Sequence, residues 1–191
     1  MMGTNVTLGL APSGGRADDG LTGGAGSGNT DETSLTITNS TLVDGLSLTA
    51  AMFEASGGDN TAQRTRTSTT GGGDVEALTG AVSYAMGAFS IGYQQTEVVY
   101  QHGSNYATEA LALSYNLNDN LSVGYTSVES EEQKSSAANV TAEYEGIGVT
   151  YTMGPMAIKY IRNDGDNVNG LTTASATRDD EHQELMISIT F

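Results

Sequence analysis

Cysteine and tryptophan are absent from the 191 residues, proline occurs twice, and only seven residues are Lys or Arg. Without cysteine there is no disulfide framework, no thiolate zinc site and no thiol nucleophile. Seven cations stand against 23 carboxylates, a formal charge of −16. So few cations cannot neutralise a useful stretch of phosphate backbone, so nucleic acid is not expected as a partner. No run approaches the ~18 consecutive apolar residues of a transmembrane helix. A helical span is excluded, but a membrane barrel is not, because barrel strands hide their lipid-facing residues in alternation. Met1 to Asn5 carry neither a basic segment nor an apolar run, so no signal peptide is read there. What fills the chain instead is Thr, Ser, Asn and 25 Gly, with nine Tyr that set it apart from a disordered polyelectrolyte.

The dominant signal is period two. Leu111-Ala112-Leu113-Ser114-Tyr115, Leu121-Ser122-Val123-Gly124-Tyr125 and Ile147-Gly148-Val149-Thr150-Tyr151 each alternate an apolar or aromatic residue with a small or polar one. Leu185, Ile187, Ile189 and Phe191 do the same at the end of the chain. Successive side chains of a strand point to opposite faces, so each segment has one apolar and one small, polar face. The reading is about ten strands, near 3–10, 32–39, 45–55, 75–86, 88–98, 105–117, 120–129, 139–153, 156–163 and 182–191. Short links (Asn39–Asp44, Met86-Gly87, Asn118-Asp119, Gly154-Pro155) alternate with long polar ones near 11–31, 56–74, 99–104, 130–138 and 164–181. Such alternation predicts an all-β, antiparallel up-and-down arrangement with its long loops at one end.

A soluble sandwich or solenoid with tyrosines in its core is the alternative, and the aromatics decide against it. Tyr84, Phe89, Tyr115 and Tyr151 share the apolar parity and lie close to short turns, while Tyr93 and Tyr125 sit about four residues further along. Amphipathic rings at one level on neighbouring strands form the girdle of a membrane barrel. On the other parity stand Thr79, Ala81, Ser83, Ser90, Gly92, Gln94, Ser114, Ser122, Thr126, Thr150 and Ser188. A sandwich would show Lys and Glu to bulk water there; small uncharged residues suit a wet lumen. The rare strand charges follow the same logic, because charge on a lipid face costs about 2–4 kcal/mol at mid-membrane. Lys159 and Glu184 are therefore expected in the lumen with Ser122, Thr126, Thr150 and Gln94. Glu143 and Glu145 fall on the apolar parity and are expected above the apolar band or at a subunit contact.

These residues resemble the C-terminal part of Gram-negative outer-membrane general porins, especially the acidic ones of marine α-proteobacteria. The likeness is carried by the closing strand Glu184–Phe191, by the hairpin Gly146–Met156, and by the phrase Ser114–Tyr125 with its strand, Asn-Asp turn and strand. Together with Gly87–Tyr93 they cover most of residues 75–191, and residues 1–74 match only in style. The resemblance implies a transmembrane β-barrel of about sixteen strands. It also implies a trimeric channel for passive diffusion of small hydrophilic solutes and ions, in the outer membrane among lipid and lipopolysaccharide. Phe191 then belongs to the signal read by the barrel assembly machinery. With about ten strands here, a piece of a longer barrel is expected, and a complete ten-stranded barrel is the alternative. No segment here is assigned as the family's inward-folded constriction loop, so no constriction residues are carried over.

No enzymatic chemistry is expected. His102 and His182 lie at the loop end of strands, and the acidic neighbours of His182 resemble the omptin proteases only thinly. No G-x-S-x-G elbow, phosphate loop or twelve-residue EF-hand pattern is present. No cofactor is expected beyond weak divalent-cation binding at acidic loops. The competing functional reading is a loop-presenting surface β-protein, adhesin-like or omptin-like, without an open pore.

Overall fold

A computed structural model gives the fold and describes residues 3–11, 31–56, 74–101, 103–135, 137–168 and 179–190. Ten strands form one antiparallel sheet in strict chain order: β1 (Thr4–Ala11), β2 (Asp31–Asn39), β3 (Leu46–Ser56), β4 (Val75–Met86), β5 (Phe89–Tyr100), β6 (Asn105–Asn118), β7 (Leu121–Gln133), β8 (Val140–Met153), β9 (Met156–Asp166) and β10 (Asp180–Ile189). Among the described residues there is no α-helix and no second sheet, so nothing of a sandwich is present. β1 and β10 are the two ends of the strand order.

The short turns follow from their residues. Gly87 and Gly154 have φ of 59° and 57°, while Ala88 and Pro155 after them do not enter positive φ. A positive φ at the first central residue alone is the type II′ pattern, whose twist matches that of the strands it joins. Asn118 closes the β6–β7 link differently, its Oδ1 accepting from the backbone N–H of Asn120 and Leu121 at 2.9 and 3.0 Å. Asn39 Oδ1 does the same for Thr41 and Leu42 after β2. Such Asx contacts replace the backbone bonds that a turn leaves unmade.

Several strands run further toward the long-loop end than their alternation indicated. β7 continues through Ser130, Glu131, Glu132 and Gln133, which read as loop in the sequence, because β6 and β8 pair with it there: Thr108 and Ala142 face Ser130, Tyr106 and Val140 face Glu132. β5 extends to Tyr100, β9 to Asp166, and β10 begins at Asp180. The expected loops near 130–138 and 164–181 are correspondingly shorter. The stretches expected as loops near 11–31 and 56–74 lie almost wholly outside the described residues.

Directly paired residues share a face, so the registers assign every side chain to one of two surfaces. One surface carries Val82, Tyr84, Ile91, Tyr93, Leu111, Leu113, Tyr125, Ile147 and Val149. The other carries Ala81, Ser83, Gly92, Gln94, Ala112, Ser114, Thr126, Gly146 and Gly148. On β5 the apolar side chains Phe89, Ile91 and Tyr93 are exposed, whereas Ser90 and Gly92 between them are half-buried. A trough of about 610 Å³ opens on the small, polar surface across β4–β9. The sheet therefore curls with its polar face concave and its apolar face convex.

Candidate functional site: a polar trough and an apolar convex face

The trough is built from residues too small to fill it. Ser90, Ser114, Gly124 and Gly148 form one cross-strand row of its floor, and Ser83, Gly92, Ala112, Thr126, Gly146 and Asn163 form the next. The hydroxyls link strand to strand: Ser90 to Ser114 at 2.6 Å, Thr79 to Thr96 at 3.1 Å, Thr108 to Ser130 at 3.0 Å and Thr38 to Thr49 at 3.3 Å. Thr126 and Asn163 both lean over Gly146, where a Cβ would stand 2.6 and 2.7 Å from their oxygens. This surface can hydrogen-bond water and polar solutes along its length and presents almost no charge.

All six residues expected on the polar side share the concave face. Gln94 pairs with Ala81, Thr126 with Gly146, Ser122 with Thr150, Thr150 with Lys159, and Glu184 with Ile161. Lys159 lines the trough and, among the described residues, makes no hydrogen bond or ion pair. Glu184 is turned to His182 instead, with Oε2 3.8 Å from Nε2. His182 lies within β10 rather than in a loop; His102 lies outside the described residues. Among the described residues no group of three or more His, Asp or Glu is placed to hold a metal ion. Asp164-Gly165-Asp166, which has a superficial look of a calcium loop, is the end of β9, with Asp164 bonded to Arg162 at 3.0 Å.

The convex face holds the aromatic residues expected there. Phe89 and Tyr115 are direct cross-strand partners; Tyr151 pairs with Leu121 and Tyr84 with Ile91, all next to short turns. Phe89, Tyr115 and Tyr151 are exposed and Tyr84 is half-buried. Leu8, Leu78, Ile147, Leu185 and Ile187 are more than half exposed on the same face. Phe191, expected to end this apolar row, lies outside the described residues. Toward the long-loop end the convex face turns acidic. Glu109, Glu129, Glu143 and Asp166 are successive direct partners across β6–β9, and Glu145 pairs with Asp164. Glu143 and Glu145 thus lie beyond Ile147 and the apolar residues, as one of their two expected placements requires.

One feature of the concave face is not visible in strand-by-strand alternation. At the long-loop end it becomes apolar, where the convex face becomes acidic. Phe53, Ala77, Val98 and Tyr106 are successive direct partners across β3–β6, and Glu132 separates them from Val140 on β8. Beside this row Tyr100 and Tyr106 meet edge to face, centroids 6.1 Å apart and planes at 82°. The buried hydrophobic residues, Ala55, Val75, Val140 and Ala142, all stand in this zone. The signal was present as a change of parity: Val140, Ala142 and Tyr144 occupy the phase opposite to Ile147, Val149 and Tyr151.

No known protein-family model matches the chain, and no curated protein sequence matches it.

Proposed function

We propose that this chain forms the wall of an outer-membrane β-barrel channel through which small hydrophilic solutes and ions diffuse passively. The observation that carries the reading is a single-layer sheet with a broad apolar surface exposed on this chain and a small, hydroxyl-rich surface on the inside of its curl. In water, exposed apolar patches this extensive are an aggregation liability. In a bilayer the same surface faces hydrocarbon, and the backbone is satisfied by its ladder. Tyr84, Phe89, Tyr115 and Tyr151 then sit at the boundary on the short-turn side, and Lys159, Glu184, Gln94, Ser122, Thr126 and Thr150 line the aqueous side. Lipid and lipopolysaccharide are its surroundings, and assembly into trimers follows the porin pattern.

A second reading, a loop-presenting surface barrel without an open pore, draws support from the apolar end of the concave face. Two measurements separate the readings. Flotation with lipid vesicles and heat-modifiable gel mobility establish a folded membrane barrel, and planar-bilayer conductance establishes a pore. A protein that stays soluble and monomeric without detergent, with unchanged mobility on boiling, removes both.

A further inference from the structure

The apolar band of the convex face does not follow the hydrogen-bonded rows. One row of direct partners holds Val6, Ile37 and Ala50 on β1–β3 and Glu109, Glu129, Glu143 and Asp166 on β6–β9. The apolar residues of this face centre on Leu8 in β1, on Ile91 in β5 and on Ile187 in β10. The row of Leu8 reaches β8 at Thr141, whereas the row of Ile187 reaches it at Tyr151, ten residues nearer the short turns. Over the nine steps from β1 to β10 the band slips about 1.1 residues per strand, a slope of about 37° at ~3.3 Å per residue and ~4.8 Å between strands. The acidic border above the band slopes alike. The row of Glu54 passes two residues beyond Glu97 on β5, at Val99, and that of Glu97 passes two beyond Glu129 on β7, at Glu131. That of Glu129 passes two beyond Asp164 on β9, at Asp166. A sheet in water has no plane to which ten strands must align. Hydrocarbon supplies one, because each strand must present its apolar residues at a common depth.

We propose that lipid hydrocarbon seats along this oblique band, so that the strands cross the bilayer at about 37° to its normal. The proposal rests on the membrane reading above and adds to it which residues share a depth. The angle lies within the ~35–45° tilt of membrane-spanning strands, and only side-chain chemistry and pairing register enter it. Leu8, Ala50, Ile91, Val149 and Ile187 then lie at one level, although they occupy five different rows. Ile37 and Gln95 share a row, yet Gln95 stands about 9 Å nearer the long-loop side at this slope. Upright strands would instead put Leu8 and Ile187 about 33 Å apart in depth, more than the ~30 Å of a hydrocarbon core.

The chain has no native tryptophan, so Leu8→Trp, Ile187→Trp, Ile37→Trp and Gln95→Trp each give the full chain one emitter of known position. Each is folded into phosphatidylcholine vesicles whose acyl chains carry bromine either near the bilayer centre or near the headgroup. Leu8→Trp and Ile187→Trp should be quenched alike, severalfold more by the deep bromines than by the shallow ones. Ile37→Trp should follow them, and Gln95→Trp should show the reverse order. Matching profiles for Ile37→Trp and Gln95→Trp, with Leu8→Trp and Ile187→Trp at opposite depths, would overturn the slope and leave the membrane reading standing. If no position is quenched by either lipid, the membrane reading falls and takes the slope with it. A second measurement needs no substitution. Polarised infrared dichroism of the unaltered chain in oriented phosphatidylcholine bilayers should place the strands about 37° from the normal. Strands aligned with the normal would refute the proposal.

Discussion

Tyr125 donates its hydroxyl to Glu145 Oε1 across the β7–β8 pair at 2.9 Å, and its ring stands directly opposite Ile147. The ring belongs to the apolar level of the convex face and the carboxylate to the acidic level. Tyr160 repeats the arrangement on β9, its hydroxyl donating to Gln183 on β10 at 3.2 Å. A tyrosine with its body in an apolar layer and its oxygen in a polar one marks a water boundary. These two residues thus define the upper limit of the apolar band, as Phe89, Tyr115 and Tyr151 define the lower.

The two faces should respond oppositely to charge. Ile91 lies on the convex face between Phe89 and Tyr93, and Ser114 lies on the floor of the trough. Ile91→Arg should cost about 2–4 kcal/mol in a bilayer, the mid-membrane penalty for a lipid-facing cation. Its folded fraction, read by heat-modifiable mobility in lipid, should fall sharply. Ser114→Arg should fold normally and lower conductance by occupying the trough. Equal folding of the two variants would refute the facial assignment.

Gly45 should be the least replaceable turn glycine. Its φ is +78°, its carbonyl accepts from the Ala85 N–H at 2.9 Å, and a Cβ would stand 2.1 Å from the Ala85 carbonyl oxygen. The obstacle is backbone, which cannot rotate away as Thr126 and Asn163 can around Gly146. Gly87 also has positive φ, but a Cβ there meets nothing within 4 Å. Gly45→Ala combines left-handed strain of about 1–3 kcal/mol with a displaced β3–β4 edge. Gly87→Asn places a residue that tolerates αL in open space. Urea midpoints in detergent should drop for the first and barely move for the second.

Strand number, antiparallel order and the facial placement of Gln94, Ser122, Thr126, Thr150, Lys159 and Glu184 were legible in the sequence. Period two in strands with one apolar face fixes which parity faces which side, since a slip of one residue exchanges the faces. Strand ends were less legible. Ser130 to Gln133, with the acidic Glu131 and Glu132 between them, read as solvated loop, yet Ser130 to Glu132 pair with both β6 and β8 and Gln133 with β6. The apolar end of the concave face was hidden for a different reason. Val98 and Val140 lie in opposite phase to the apolar residues nearer the short turns, so an alternation summed over a whole strand cancels them. Partner rows across strands reveal it: Val98 meets Tyr106, and Tyr106 meets Glu132 beside Val140.

A channel with this wall should prefer cations weakly, and the preference should fade with salt. The charge of −16 is concentrated away from the trough, in strand ends such as Glu129, Glu131, Glu143 and Glu145 and in the connecting segments. Carboxylates at a mouth enrich cations over about a Debye length, ~8 Å at physiological ionic strength. Reversal potentials under a KCl gradient should indicate cation preference at low salt and approach zero selectivity at high salt. Anion preference at low salt would contradict this.

Removal of Phe191 should impair assembly more than one lost lipid contact explains. The expectation rests on the proposed porin reading, under which Phe191 is part of a recognition signal. Burial of one such side chain contributes about 1.5–3 kcal/mol. Refolding of purified protein into lipid should therefore be only modestly affected, whereas delivery to the outer membrane of a cell should fail. Normal cellular assembly of the truncated chain would count against the porin reading.

The edges β1 and β10 provide the sharpest test of how the wall closes. Both end the sheet with unpaired ladder groups among the described residues, and both carry exposed apolar residues on the convex face: Val6, Leu8 and Leu10 on one, Leu185, Ile187 and Ile189 on the other. In hydrocarbon an unpaired strand edge costs several kcal/mol per group, so each edge must find a partner. β1 leaves its short-link end at Thr4 and β10 arrives there at Ile189, so the two are antiparallel if they meet. Single cysteines at Asn5, Thr7 or Gly9, each combined with Ser188→Cys, place both thiols on the concave face. If the two edges pair with each other, one combination should oxidise within the monomer in lipid, seen as a shift in unboiled mobility that dithiothreitol reverses. Cross-links only between molecules, or none in a folded protein, would mean that β1 and β10 pair with strands other than each other.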